Sequence, residues 1–381
     1  MAHPWLLVAG DFTPLGGMDR ANHALALQLA SCGREVHVVT HRAWPDLASR
    51  PSVSVHLVRR PLGWHLLGSP LLASTGRRLW QRLHADGVRA VVNGGNCPVA
   101  AANWVHYLHA AHEPEVSGSW VRRAKSALAD RRDRTAEREA LGRATVIICN
   151  SRRTQADVVD RIGVPPDRTR VVYYGTDPLA FGPPTADERA AARQALGVPG
   201  DRPLVGFVGA LGDRRKAFDS VFAAWVDRCA DRTWDADLVV VGAGAELPAW
   251  RDQAAAAGLE TRIRFLGFRE DVPRILAAVD ALVHPARYEA YGLSVHEAIC
   301  RGVPAIVSRS AGVAELYPNT LSDLLVDDPD DVHEIAERLR TWRSGLERWR
   351  EDLAPLSSRL RARHWSTMAA EIVDVVDRAA A

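Results

Sequence analysis

Lysine is nearly missing from this chain. Of its 48 Lys and Arg residues only two, Lys125 and Lys216, are lysine. Whatever drives that bias, a lysine that survives it is a candidate for a role that the planar fork of arginine does not fill. Cysteine is scarce too: Cys32, Cys97, Cys149, Cys229 and Cys300 are odd in number, scattered and without metal-ligand spacing. That excludes a disulfide scaffold and reads as the reduced, mostly buried thiols of a cytoplasmic protein. No apolar run approaches the ~20 residues of a membrane-spanning helix, and the apolar stretch at 5–9 is too short for the core of a signal peptide. The formal net charge of +2 makes no case for a nucleic-acid partner. Positive charge is nevertheless gathered locally, at Arg122, Arg123, Lys125, Arg131, Arg132 and Arg134.

What remains is the composition of a globular protein, 47% apolar and 25% charged over 381 residues, long enough for two domains with separate cores. Short apolar strands alternate with helical patterns, which points to α/β architecture with parallel sheets. Strands are expected at 5–9, 35–40, 90–93, 104–108 and 145–149, with an amphipathic helix over 18–32 closed by Gly33. A second series has strands at 204–209, 238–242 and 263–267 and helices at 217–229 and 271–279. Residues 178–203 carry Pro and Gly at both ends of an Ala/Arg-rich helix and are the best linker candidate. The expectation is a pair of Rossmann-like domains facing a cleft, over 1–180 and 200–362, with a helix of period 3.6 in 363–381.

The most informative stretch is 286–300, Ala-Arg-Tyr-Glu-Ala-Tyr-Gly-Leu-Ser-Val-His-Glu-Ala-Ile-Cys. Seven residues separate Glu289 from Glu297. With an apolar run at 281–284 before it and another at 302–307 after, it reads as strand, turn with Glu289, helix carrying Glu297, strand. Gly292 opens the turn and Ser294 is the N-cap candidate, which leaves the amides from Leu293 to His296 as unpaired helix-start donors. Such a helix start suits a phosphate. A carboxylate just before it and another one turn inside can accept hydrogen bonds from sugar and ribose hydroxyls. Spacing alone is also compatible with a surface acid and a solvated helix residue.

Residues 206–219 read as a strand, a glycine-containing loop with three cations, then a helix. A departing diphosphate gathers negative charge, and Arg215 and Lys216 at the loop–helix junction can compensate it. Gly16-Gly17, between the first strand and first helix, permits close backbone approach to a phosphate or sugar, although a βα turn can use such a pair for its own geometry alone. His106, His109 and His112 are three apart, but strand geometry puts the first two on opposite faces and nothing completes a metal site. Asp235-Ala-Asp237 looks like a metal-binding DxD motif, yet it precedes a strand, the wrong end for a site at strand carboxyl ends. No metal is expected.

The 289–297 pattern resembles the E-x7-E signature of retaining glycosyltransferases of family 4, which have the two-domain GT-B fold. The neighbouring Gly-Leu-Ser, Glu-Ala and Gly-Val-Pro-Ala-Ile-Val match that family as well. The resemblance spans nearly the whole chain and is most specific over 204–312. It implies a nucleoside-diphosphate sugar donor of UDP or GDP type, used as co-substrate with no further cofactor. It also implies a final helix that crosses back onto the N-terminal domain. Glu289 would hold the sugar hydroxyls and Glu297 the ribose, within a donor-binding segment that includes Ala290, Tyr291, Gly292, Leu293 and Ser294. Lys216 matches the family's phosphate-binding lysine. The arginine the family has after the second glycine is Ala210 here, so Arg215 or Arg214 takes its part. Arg269 and Val272 would neighbour the nucleobase, with Gly242 and Gly244 in the same crevice. Gly16 and Gly17 match the N-terminal glycine-rich loop, and His109 matches the histidine facing the donor sugar, with His106 as second choice. No covalent residue is assigned.

Two rival readings share the fold or the site: a disaccharide phosphorylase using inorganic phosphate, and a nucleotide-sugar-binding protein without turnover. The acceptor is open between a small-molecule natural product, a lipid and a glycan. Basic and apolar side chains mix at 59–68 and 122–134, which fits either a peripheral contact at the inner membrane face, a lid over an apolar molecule, or solvated arginine.

Overall fold

A computed structural model describes residues 3–113, 120–198, 200 and 202–380, with the backbone alone at 121–125. Arg122, Arg123 and Lys125 of the basic cluster therefore lie outside the described side chains. The chain forms two compact units, Met1–Gly175 with His364–Ala381, and Thr176–Arg363.

The first unit is built on a seven-stranded parallel sheet. Its strands are β1 (Trp5–Val8), β2 (Val36–Thr40), β3 (Val53–Leu57), β4 (Arg89–Asn93), β5 (Ala102–Val105), β6 (Val146–Cys149) and β7 (Thr169–Val171), in the order β3-β2-β1-β4-β5-β6-β7. The central strands are buried along their whole length, as expected of parallel strands covered on both faces. The helix Met18–Ser31 buries Ala21, Leu25, Ala26 and Leu29, one stripe of its surface. The last helix, Trp365–Ala379, belongs to this unit: Met368, Ala369, Ile372 and Val376 are buried, and Asp377 pairs with Arg89 at 3.0 Å. The chain crosses itself where it leaves and re-enters the unit, and a Cβ on Gly175 would collide with the His364 carbonyl.

The strand expected at 104–108 lies earlier and stops at Val105. Its partner β6 ends at Cys149, so the ladder has nothing to pair with beyond the Val105–Cys149 position. The Asn150 side chain takes over and donates to the His106 carbonyl.

The second unit repeats the plan with six parallel strands: β8 (Leu204–Val208), β9 (Asp237–Val241), β10 (Ile263–Gly267), β11 (Ala281–His284), β12 (Ala305–Ser308) and β13 (Leu325–Val326), ordered β10-β9-β8-β11-β12-β13. Residues 178–203 are not a free linker. Their helix, Ala186–Ala195, packs on the helix Val272–Ala278 of the second unit, and its Arg193 is buried against Asp280 and the Ala278 carbonyl. In both sheets the strand order reverses at the first strand, and the crevice beyond the carboxyl ends there is where ligands of such sheets bind.

Candidate active site

In the second unit the switch point lies between β8 and β11, so the loops that leave these strands share one end of the sheet. The loop after β8 closes as a single tight turn, Arg214–Lys216, with Asp213 accepting from the Arg215 amide. Ala217 follows in the left-handed region at φ 52° and starts the helix Phe218–Ala230. A side chain other than glycine there is strained, and Ala217 is held by complete burial. The turn aims Lys216 at the other loop, where its Nζ lies 2.5 Å from Glu289 Oε2. His284, the last residue of β11, meets the same oxygen through Nε2 at 3.0 Å.

These contacts set the charges. Burial by itself would push the Glu289 carboxyl up, but the Lys216 ammonium and the His284 bond outweigh it and hold it well below the usual carboxylate range. Burial keeps His284 neutral despite the carboxylate, so its Nε2–H donates to Glu289. The result is an ionised carboxylate and an ammonium in contact at the mouth of the crevice.

Arg287 fixes the spacing of the two loops. Its guanidinium grips Asp219 through both Nη atoms at 2.8 Å and reaches Asp330 through Nε at 2.7 Å, while its amide donates to the Arg215 carbonyl. The neighbouring loops are tied in by backbone bonds from Gly209 to Val241 and from Leu211 to Ala243. A Cβ on Gly242 or Gly244 would overlap the carbonyls of Gly209 and Leu211, so these glycines serve loop–loop contact.

The helix after Glu289 spans Leu293–Cys300, and its N-cap is Gly292 at φ 105°, without a capping side chain. Ser294, expected as the cap, is instead the second helical residue. The left-handed turn at Gly292 delivers the chain directly into the helix, and a Cβ there would press on Val313 at 3.0 Å. The His296 amide is taken by the Gly292 carbonyl, which leaves Leu293, Ser294 and Val295 as the amides without an intrahelical acceptor. Glu289 and Tyr291 are anchored through their carbonyls to the amides of Gly312 and Val313, and Tyr291 Oη meets His296 Nδ1 at 2.7 Å. Ala290 is buried between them. Glu297 is 4% exposed, far from the solvated helix residue that spacing alone allowed.

Other expected residues are more spread out. Arg215 lies beside Lys216 but grips Asp213 through Nε and Nη2 at 3.0 and 2.6 Å. Arg269 forms a two-pronged pair with Asp271, both bonds 2.7 Å, next to the exposed Phe268, and Val272 begins the following helix. Asp237 is buried under Arg202, Arg262 and Arg264, and Asp235 pairs with Arg343, so the DxD-like carboxylates are engaged by arginines.

In the first unit, Gly16 (φ 77°) and Gly17 lead into the helix Met18–Ser31, beside Asp19, whose carboxyl is raised to about 6 by burial and the nearby Asp11. His106 is a core residue: it is buried, its Nδ1 contacts Tyr174 Oη at 2.5 Å, and burial lowers it to about 3. His109 is the accessible one, 40% exposed in the short turn His109–Ala111. Behind it lies Glu137, 1% exposed, which accepts from the amides of His109 and Ala110 and faces His109 Nδ1 at 3.3 Å. Burial disfavours the imidazolium, but Glu137, with Asp133 and Asp130 beyond, raises its pKa. Glu137, His284 and Arg287 escaped the sequence reading. Arg287 and His284 stand within or next to the 286–300 stretch, but nothing local marks Glu137.

The family model described as Glycosyl transferases group 1 matches residues 202–343, and that described as Glycosyltransferase Family 4 matches residues 15–178. The 2-deoxystreptamine N-acetyl-D-glucosaminyltransferase of Streptomyces fradiae is 30% identical over 353 residues, covering 84% of this chain and 81% of its own. The D-inositol 3-phosphate glycosyltransferase of Salinispora tropica is 29% identical, covering 83% and 72%. Among solved structures, Anabaena HepE in complex with UDP and glucose superposes with a TM-score of 0.74 at 20% identity, over 99% of this chain and all of that one (100%). WaaG, a glycosyltransferase involved in lipopolysaccharide biosynthesis, gives 0.70 at 20% identity over 99% and 98%. With two parallel-sheet α/β units, the fold is GT-B.

Proposed function

The chain belongs to glycosyltransferase family 4, and we propose that it is a retaining enzyme using a nucleoside-diphosphate sugar of UDP or GDP type. The observation that carries this is the Lys216–Glu289 contact at the sheet's switch point, just before a helix start with three free amides. The ammonium and the amides of Leu293, Ser294 and Val295 receive the diphosphate, whose charge rises as the glycosidic bond breaks. Glu289, kept ionised by Lys216 and His284, accepts hydrogen bonds from the sugar hydroxyls. Glu297 takes the ribose hydroxyls, and the Arg269–Val272 segment neighbours the base. Arg215 shares its donors between Asp213 and the diphosphate. On the first unit, the family resemblance assigns the Gly16–Gly17 turn and His109 to substrate binding. Retention rests on the resemblance of the Glu289–Glu297 spacing to the family signature, and no protein nucleophile is assigned.

The relatives' names support a cyclitol-type acceptor, because both D-inositol 3-phosphate and 2-deoxystreptamine are small ring polyols. A lipid acceptor or a peripheral membrane contact is favoured by one observation, the exposed Leu62, Trp64, Leu67 and Leu71 beside Arg60. No helix among the described residues is long and apolar enough to cross a membrane. The test begins with a thermal-shift panel of UDP, GDP, dTDP and ADP, since a ligand of the folded state raises the melting point. The matching nucleotide sugars are then incubated with cyclitols and with anionic vesicles, and product anomers are read by NMR. Release of sugar 1-phosphate from a disaccharide by inorganic phosphate alone points to a phosphorylase, and binding without turnover to a non-catalytic protein. An inverted product overturns retention.

A further inference from the structure

At the opposite end of the second sheet from the Lys216–Glu289 crevice, by the amino end of β11, lies a cavity of about 400 Å³ lined by Arg189, Arg301, Arg350 and Arg361. Its size is that of a small-ligand site. The arginines are only partly compensated. Asp280 alone answers three guanidinium groups, those of Arg189 and Arg350 at 2.7 Å and that of Arg193 at 3.4 Å, and it also accepts from the Leu204 amide. Arg301 is paired with Glu188. Among the described residues Arg361 meets no carboxylate: it donates to the Cys300 carbonyl at 2.8 Å and to the hydroxyls of Ser357 and Ser358.

Among the described residues, the four arginines that line the cavity thus meet two carboxylates, Asp280 and Glu188. Arg301 is 3% exposed, its Nη1 taken by the Gly182 carbonyl at 2.9 Å and its Nη2 by Glu188. Several of these arginines also hold backbone carbonyls, as Arg189 does at Ala277 and Val279, which explains their position but leaves the excess charge. The carboxyl end of the Leu293–Cys300 helix faces the cavity and carries roughly half a negative charge, too little to offset the surplus.

We propose that this cavity is an anion site, separate from the Lys216–Glu289 crevice, that binds a small organic phosphate. A phosphomonoester brings nearly two negative charges and three acceptor oxygens, which match the surplus. The apolar walls, including Leu276, Val279 and Val303, suit its carbon body.

Calorimetry with glycerol 3-phosphate, inorganic phosphate and glycerol tests this on the full chain. Both phosphates are expected to bind one to one and glycerol not at all. Lys216→Ala, which removes the proposed diphosphate ligand, should leave that binding unchanged. Arg350→Gln, at a half-exposed position, and Arg361→Gln should each weaken it at least tenfold. Absence of phosphate binding, wild-type affinity in both arginine variants, or loss of binding in Lys216→Ala overturns the proposal. The last outcome would assign the phosphate to the donor loop and leave the glycosyltransferase reading intact.

Discussion

Lys216 Nζ sits 2.5 Å from Glu289 Oε2, although 73 positions separate the two residues. One of only two lysines in the chain is therefore held against the first glutamate of the 289–297 pair, at the end of the sheet where a ligand is expected. Neither side chain is more than 18% exposed, so the pair is screened less than a surface bridge. Its charges are positioned before any substrate arrives, which is what stabilising a developing diphosphate charge requires.

Glu289→Gln should keep the fold and lose most transfer activity. The amide conserves volume but removes the charge proposed to accept from sugar hydroxyls, at a cost of about 2 kcal/mol, or roughly thirty-fold in kcat/KM. Glu297→Gln should act mainly on donor KM. Steady-state kinetics check both, and wild-type turnover in the two variants removes them from the site. The depressed Glu289 pKa also predicts a stability contribution that is present above about pH 4.5, the free value, and lost as pH falls through the folded one.

Lys216→Ala should weaken the nucleoside diphosphate far more than the nucleoside, by about tenfold or more. Lys216→Arg should rescue only part of this, because a planar fork does not replace a compact ammonium at a tight contact. Without the ammonium, the Glu289 carboxyl should titrate at higher pH. Equal weakening of diphosphate and nucleoside, or none, returns the loop to the solvated surface.

His109 should titrate above the ordinary imidazole range because Glu137 lies behind it. A raised folded pKa means that the pair's stabilisation is complete below about pH 6.5 and fades as pH rises through the folded value. Glu137→Gln should lower the His109 pKa and flatten that dependence. NMR titration of the imidazole decides it: an unshifted His109 in the variant means that Glu137 merely caps the turn.

Asp237→Ala should destabilise the second unit by about 2–3 kcal/mol. The full penalty for breaking a buried pair is discounted because Arg202, Arg262 and Arg264 are each partly exposed. Asp235→Ala should cost much less. Since arginines engage both carboxylates, transfer should survive EDTA. Loss of activity in EDTA that Mg2+ or Mn2+ restores would return Asp235 and Asp237 as metal ligands. Chemical denaturation and an EDTA titration of turnover separate the two roles.

The local pattern of the chain was enough for much of this. Apolar runs at 204–209 and 281–284 and the glycine at 292 determine strand, turn and helix within a few residues, because backbone preference and side-chain period are properties of neighbours in sequence. The local placement of Glu289, Glu297 and Lys216 was legible for the same reason, since each stands in a loop or helix that its own segment specifies.

Only the tertiary structure decided which of these segments meet. The sheet order puts β8 next to β11, and that adjacency joins Lys216 to Glu289 and lets Arg287 brace both loops through Asp219. Segment 178–203 looks like a linker by composition, yet burial of Arg193 at Asp280 draws it into the second unit. Glu137 lies mid-helix without a local mark and gains its role from the His109 turn 28 positions away. A carboxylate's function follows from the field and donors around it, and those are supplied by whichever strands the sheet brings side by side.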